Sequence, residues 1–311
     1  MKHNTRVIPA TVSREYEQKY VENYNIVTKQ THKLFMFSAD QKIEHLNKDF
    51  YDPKKLDPSI NDPEHIFKIA QAGYIGALNN HLGLIARYGR DYPTIPYIVK
   101  LNAKSNLVAL DQSDPVSAPL YSVDDVVNFS QQSGLIIPGI SVTIYLGSRY
   151  EAEMLTHAAQ SIYQAHKYGL LAIVFVYPRG TSVAHPQDPL LTAGAAGLGV
   201  ALGADFVKIQ VPKIETSQDT LAGTHMSLSH WLSIASQAAG KTGVICAGGS
   251  KKDSQQYIQE LYDQLHVGNM RGCALGRNIF QRPLNQAINF THAVSKIVYE
   301  NSSVQEALDL L

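Results

Sequence analysis

Eight short runs of β-branched and apolar residues recur along this chain, each followed by a longer stretch with helical periodicity. That alternation constrains the fold more than any other feature. The runs are Leu34 to Ala39, Tyr74 to Leu78, Tyr97 to Leu101, Ile140 to Tyr145, Leu171 to Tyr177, Asp205 to Gln210, Val244 to Ala247 and Gly272 to Leu275. Helical segments are expected at Asp62 to Gln71, His81 to Arg90, Val123 to Ser133, Arg149 to Tyr168, Asp188 to Leu202, Ser227 to Ala239, Lys252 to Leu265 and Asn278 to Val298. Strands and helices in strict alternation build parallel sheet under crossover helices. Eight such units close into a (β/α)8 TIM barrel of the α/β class, and 311 residues suit one such domain with one core. The competing arrangement, an open doubly wound sheet, would carry a Gly-x-Gly-x-x-Gly turn after its first strand, and none follows Ala39. Gly194 to Gly199 lies inside a small-residue helix and reads as close helix packing. Residues 1-32 are expected to form an N-terminal extension that packs on the barrel or at an oligomer interface, and residues 33-311 the barrel itself. The stretch Ala103 to Leu120 is too long for a tight turn and is expected to make an irregular excursion at the rim.

In a barrel the active site lies at the C-terminal strand ends, so the polar residues closing each run carry the chemistry. Lys208 stands within the apolar run Ala204 to Val211. A buried ammonium costs several kcal/mol unless paired or neutralised, and desolvation with nearby cations leaves a free amine able to attack a carbonyl. Schiff-base enzymes make their nucleophile in this way. The competing reading is a lysine that snorkels or pairs with Asp205. If Lys208 faces the barrel, alternation sends Phe206 and Gln210 inward and Val207 and Ile209 toward the helices. Lys100 on the third strand can point inward too, as a second ammonium that lowers the Lys208 pKa by like-charge repulsion; it either takes a direct catalytic role or forms a salt bridge with Asp40 or Glu44. Asp40 offsets the lysine pair and is a partner for a substrate hydroxyl. Tyr145 is either a packing residue or, close to two lysines, a general acid or base.

The last two strand ends suggest an anion site. Gly248-Gly249-Ser250-Lys251 and Gly276-Arg277 bring backbone N–H groups, helix N-termini and two cations to the loops where barrels commonly hold phosphate.

The charge balance of 27 basic and 27 acidic residues leaves no nucleic-acid footprint. Cys246 and Cys273, the only cysteines, have no metal-type spacing and read as buried strand residues. The 12 histidines form no His-x-His or His-Glu-x-x-His cluster; His45 and His185 from distant loops are the remaining pair, so no metal is expected. Residues Met1 to Gln30 lack an apolar core, which reads as neither signal peptide nor membrane span and points to the cytoplasm, with no membrane partner.

Taken in order, Ser38 to His45, Lys100-Leu101-Asn102, Ile144 to Ser148, Tyr177-Pro178-Arg179-Gly180, Gly203 to Ile209, Gly248 to Lys251 and Gly276-Arg277-Asn278 resemble the archaeal-type class I fructose-bisphosphate aldolases, over about Lys33 to Tyr299. The resemblance implies a (β/α)8 fold and Lys208 as the imine-forming lysine. It also implies Tyr145 as the proton-transfer residue, Asp40 as the acidic residue ending the first strand, and phosphate loops at Gly248 to Lys251 and Gly276 to Arg277. It implies a phosphorylated sugar substrate, covalent imine chemistry with no cofactor, and a homo-oligomer. Many relatives have Asp-His-Gly where this chain has Asp40-Gln41-Lys42, so Gln41 is given no catalytic role. The rivals are a Schiff-base transferase or aldolase acting on another ketose phosphate, a metal-dependent lyase, and a non-catalytic sugar-phosphate sensor.

Overall fold

The computed structural model describes residues 8–44, 47–52, 54–105, 107, 114–213, 220–221 and 224–311. Eight strands, β1 (Leu34–Ser38), β2 (Ala77–His81), β3 (Tyr97–Lys100), β4 (Gly139–Leu146), β5 (Leu171–Pro178), β6 (Phe206–Ile209), β7 (Gly243–Ala247) and β8 (Gly272–Leu275), form a closed barrel. Every neighbouring pair is parallel, and β8 returns to β1 with Leu34 opposite Gly272. The expected TIM barrel is the fold observed.

Strand alternation divides the core in two. Outward residues such as Phe35, Phe37, Val99 and Val207 pack under the helices, while Leu34, Met36, Ala77, Ile98, Ile173, Phe175, Phe206, Ile245 and Ala274 fill the barrel's lower interior. Phe206 is therefore inward and Val207 outward, which fixes Lys208 as inward. Gly199 in the helix Pro189–Ala201 explains the small-residue tract, because a Cβ there would lie 2.6 Å from Val207 Cβ. A glycine at that point lets the helix lie directly on β6. Gly194, with nothing near its missing Cβ, takes no part in that contact.

Two boundaries differ from the sequence expectation. β2 runs Ala77–His81 instead of Tyr74–Leu78, because its second half is polar yet buried: Asn79 accepts a 2.5 Å hydrogen bond from Ser141 Oγ inside the barrel. An apolar run cannot reveal such a strand. The final helix is two, Arg277–Phe280 and Leu284–Tyr299, divided at Pro283, whose ring and missing N–H interrupt a continuous helix.

The helix Glu17–Thr28 closes the N-terminal end of the barrel. Tyr20 and Val27 are buried with the lower interior, Tyr24 stacks on Phe206 at 5.7 Å, and Tyr20 Oη donates to Asp205, which also contacts His166 Nε2 at 3.1 Å. Asp205 is thus held at the floor and is not the partner of Lys208. At the other rim, Asn102–Ala103 pairs antiparallel with Ala118–Pro119, and Asp114 accepts from Arg149 Nε and Thr181 Oγ1, each at 3.1 Å. Residues 106 and 108–113 of that excursion lie outside the described residues. No helix among the described residues is long and apolar enough to cross a membrane.

Candidate active site

Lys208 rises from β6 into the upper barrel, 5% exposed, and its Nζ donates to Ser38 Oγ at 3.1 Å. Ser38 Oγ in turn donates to Asp40 Oδ1 at 3.1 Å, so the amine meets the carboxylate through a neutral hydroxyl. The Phe175 ring lies beneath, with its centroid 4.4 Å from Nζ. Burial lowers the lysine pKa to about 8; Lys100 and Arg277 push the same way, and the charges on Asp40 and Glu44 oppose them. At neutral pH that leaves roughly a tenth of the amine unprotonated, against less than about a thousandth for an ordinary lysine.

Lys100 on β3 has the opposite fate. Its Nζ lies 2.7 Å from Glu44 Oε1 and 3.1 Å from Asp40 Oδ2, and it is fully buried. Burial alone would lower its pKa, but the two carboxylates outweigh that and hold it as an ammonium. Lys100 is thus salt-bridged, and its charge helps to lower the Lys208 pKa. Burial pushes the Asp40 carboxyl up, yet Lys100, Lys208 and His81 together hold it well below the usual carboxylate range. Glu44 goes the other way, raised to about 7 by burial and the adjacent Asp40 charge despite Lys100.

Two phenols and an imidazole complete the ring. Tyr145 on β4 and Tyr177 on β5 are register partners with centroids 6.5 Å apart, and burial raises the pKa of both. Phe175 pairs with Lys208 across β5 and β6, so Tyr177, two residues further up, stands over the strand beside the lysine. Tyr145 is one strand more distant. Lys104 Nζ and the Arg179 guanidinium each lie 6.0 Å from the Tyr145 ring. His81 pairs in register with Lys100, and alternation from Asn79 turns it inward. Both its ring nitrogens are buried and make no well-aligned hydrogen bond, the backbone of Lys100 and Asp40 giving only weak contacts, and burial with the Lys100 charge lowers its pKa to about 4. Apolar-run reasoning missed His81 because it begins from hydrophobic stretches.

Across the mouth, the β7 and β8 loops are sewn together by Asn278. Its Nδ2 donates to the Gly248 and Ser250 carbonyls at 2.9 and 3.1 Å, and its Oδ1 accepts from Lys252 N at 2.8 Å. Gly249 takes φ +68°, a left-handed conformation that glycine adopts without strain. Gly276 N-caps the short helix that begins at Arg277. Arg277 lies 3.8 Å from Asp49, and its charge adds to the lowering of the Lys208 pKa. Lys251 instead donates to the Gln281 carbonyl at 2.9 Å. Arg282, which the sequence reading did not single out, bonds the Asn278 and Lys252 carbonyls and braces both loops. Among the described residues no three His, Cys, Asp or Glu side chains gather as a cation site. His45 lies outside them.

A closed parallel barrel with a pKa-lowered interior lysine, an ammonium–carboxylate cluster facing it and glycine loops at the next two strands defines the class of Schiff-base barrel lyases. The chain belongs to the DeoC/LacD aldolase family, whose family model matches residues 34–282. It is 44% identical over 303 residues to a Methanocaldococcus jannaschii protein named fructose-bisphosphate aldolase/6-deoxy-5-ketofructose 1-phosphate synthase, spanning 97% of this chain and 93% of the relative. Its fold is similar to that of a fructose-bisphosphate aldolase from Slackia heliotrinireducens, with TM-score 0.92, 41% identity, and coverage of 100% of this chain and 95% of the other. It is also similar to an archaeal fructose-1,6-bisphosphate aldolase with the catalytic lysine covalently bound to the carbinolamine intermediate of the substrate. That likeness has TM-score 0.72 and 28% identity over 90% of this chain and 99% of the other.

Proposed function

We propose that this chain is a class I fructose-bisphosphate aldolase, cleaving fructose 1,6-bisphosphate reversibly to dihydroxyacetone phosphate and glyceraldehyde 3-phosphate through an imine on Lys208. The observation that carries the reading is the division of labour between two buried lysines. Lys208 is bonded to a hydroxyl and partly neutral, while Lys100 is clamped by two carboxylates and stays charged.

Neutral Lys208 attacks the C2 ketone, and loss of water gives a protonated imine that serves as the electron sink. A base takes the C4 hydroxyl proton, the C3–C4 bond breaks and glyceraldehyde 3-phosphate leaves. The enamine is then protonated at C3, and hydrolysis releases dihydroxyacetone phosphate. The proton-transfer group belongs to the phenol pair: the resemblance assigns Tyr145, and the register favours Tyr177 as the one nearer Lys208. Asp40 and Lys100 position hydroxyls, and His81, whose ring nitrogens make no well-aligned hydrogen bond, is the group suited to a further substrate hydroxyl. Gly248, Gly249, Ser250, Lys251, Gly276 and Arg277 form the cradle for the phosphate next to the reacting carbonyl. Arg277 supplies charge toward Lys208, and Lys251 acts from the loop edge. Lys104 and Arg179, on the far side of the mouth, are the cations available to the second phosphate. Binding both ends holds the ketone beside the amine.

In this reading the imine does the work and no metal is required; EDTA should leave turnover intact. The enzyme works in the cytoplasm, with no membrane or nucleic-acid partner, as a homo-oligomer. A second reading rests on the double name of the 44% identical relative: the same enamine transfers its three-carbon unit to another aldehyde acceptor.

Borohydride reduction with dihydroxyacetone phosphate, followed by mass mapping, should place an adduct on the Lys208 peptide. Lys208→Met should abolish cleavage with the barrel intact, and near-normal turnover by that variant would end the proposal.

A further inference from the structure

The Lys100 ammonium is shared by two carboxylates of unlike character. Asp40 sits at the end of β1, hydrogen-bonded by Ser38 as well as Lys100, within the wall of the barrel. Glu44 comes from the short helix Gln41–Glu44 one turn further on and reaches the same nitrogen from the mouth, 2.7 Å away, with its side chain 11% exposed. A carboxyl in that position is in contact with the site's charge cluster and is still open to protons from water. Two carboxyls whose surroundings drive them apart commonly divide acid and base roles. Asp40 has three cationic or imidazole neighbours that keep it ionised, whereas Glu44 is desolvated and faces the Asp40 charge, so its protonated form is populated near neutral pH.

Imine chemistry needs such a group. The carbinolamine cannot lose hydroxide unaided, and the one proton left on Lys208 Nζ is retained in the protonated imine. We propose that Glu44 is the general acid of imine formation, handing its proton to the carbinolamine hydroxyl and recovering it when the imine is hydrolysed. This assignment rests on the imine reading above. As the C2–O bond breaks, the lone pair on Lys208 Nζ forms the C=N bond, the Glu44 proton goes to the departing oxygen, and water leaves. The new Glu44 carboxylate is stabilised by the Lys100 ammonium at 2.7 Å. Among the described residues, the other titratable groups whose charges act on Glu44 or feel its charge are Asp40 from β1, Lys100 and Lys104 from β3 and its loop, Tyr145 from β4, Tyr177 from β5 and Lys208 from β6. Glu44 is raised to about 7 and Lys208 lowered to about 8, so the two are brought within reach of each other near neutral pH.

The test follows the rate of borohydride-trapped adduct formation with dihydroxyacetone phosphate across pH. The wild-type profile should be bell-shaped, rising as Lys208 loses its proton and falling as Glu44 loses its own. Glu44→Gln should trap about 100-fold more slowly and lose the descending limb, with affinity for dihydroxyacetone phosphate held within a few fold. Glu44→Asp should restore trapping with the descending limb displaced. A Glu44→Gln enzyme that traps at the wild-type rate, or retains the descending limb, overturns the assignment. So does an unmoved limb in Glu44→Asp, which decides the matter if the glutamine variant does not fold. A wild-type protein that gives no adduct at all overturns the imine reading, and the Glu44 role with it.

Discussion

Lys208 and Lys100 place their nitrogens against the same aromatic ring, 4.4 and 5.2 Å from the centroid of Phe175, yet their surroundings drive them to opposite charge states. Lys208 meets a serine hydroxyl; Lys100 meets two carboxylates. The Phe175 ring excludes water from both and favours cations on its face, so the carboxylates decide which amine stays charged. A barrel interior can therefore keep one lysine reactive only by keeping its neighbour paired.

Because Lys208 is held against its charge preference, removing it should stabilise the protein. Its pKa of about 8 lies below the ordinary lysine value, and each unit of such a shift is worth about 1.4 kcal/mol. Lys208→Met should gain about 1–3 kcal/mol at pH 7. The sign reverses the usual expectation for a lost side chain. As pH rises from about 8 toward the unfolded-state value, the unfolded chain binds the extra proton, so wild-type stability climbs and the gap closes. Urea denaturation at pH 7 and pH 10 measures both, and a variant less stable than wild type at pH 7 would contradict this picture.

Lys100→Met should do the reverse. It strips the counter-ion from Asp40 and Glu44, and breaking a buried ion pair costs about 3–5 kcal/mol. Since Glu44 is the carboxyl already raised to about 7, acid relieves the loss by protonating it. The denaturation midpoint should thus fall steeply at pH 8 and less at pH 5. An equal loss at both would mean that the two carboxylates do not repel through the vacated site.

The phenols are separated by position rather than by chemistry. Tyr177 stands above Phe175, the register partner of Lys208, and Tyr145 is one strand beyond. Tyr177→Phe should lower kcat by about 100-fold or more with the adduct still trapped. Tyr145→Phe should act mainly on KM, through the Lys104 and Arg179 cations beside its ring. Single-turnover cleavage by the two variants compares them directly; a larger kcat loss in Tyr145→Phe returns the proton-transfer role to Tyr145.

How much of this could be read beforehand depended on whether a residue announced itself against its neighbours. Lys208 did, as a lone cation in an apolar run, and its inward direction followed from period-two alternation. The glycine loops did too, because glycine recurs at two successive strand ends, as the pair Gly248-Gly249 and as Gly276. The closing helix Glu17–Thr28 did not: its burial runs through Tyr20, Asn23, Val27 and Thr28, which give no regular apolar stripe. β2 was displaced by three residues for a related reason. Its upper half is Asn79-Asn80-His81, fully polar in sequence and buried in the fold, since the interior of an enzyme barrel is not apolar near its catalytic end. The Glu44 contact with Lys100 was named as a salt bridge, but the unequal sharing with Asp40 depends on depth within the barrel, which spacing does not encode.

His81, hidden by that same displaced strand, gives the last expectation. A buried polar atom without a good partner costs about 1–3 kcal/mol, and neither ring nitrogen of His81 has one, the Lys100 and Asp40 backbone giving only poorly aligned contacts. A protein that bears this cost beside Lys100 and Asp40 gains from it only when something else supplies the partners. His81→Leu, which removes both orphaned nitrogens and keeps an apolar side chain, should hold stability or raise it by about 1 kcal/mol. The same change should reduce kcat/KM for the bisphosphate by about 10- to 100-fold, the loss of one substrate hydrogen bond or two. Thermal unfolding and steady-state kinetics on one preparation give both numbers. A variant that loses stability and keeps its kinetics would make His81 a packing residue and remove it from the site.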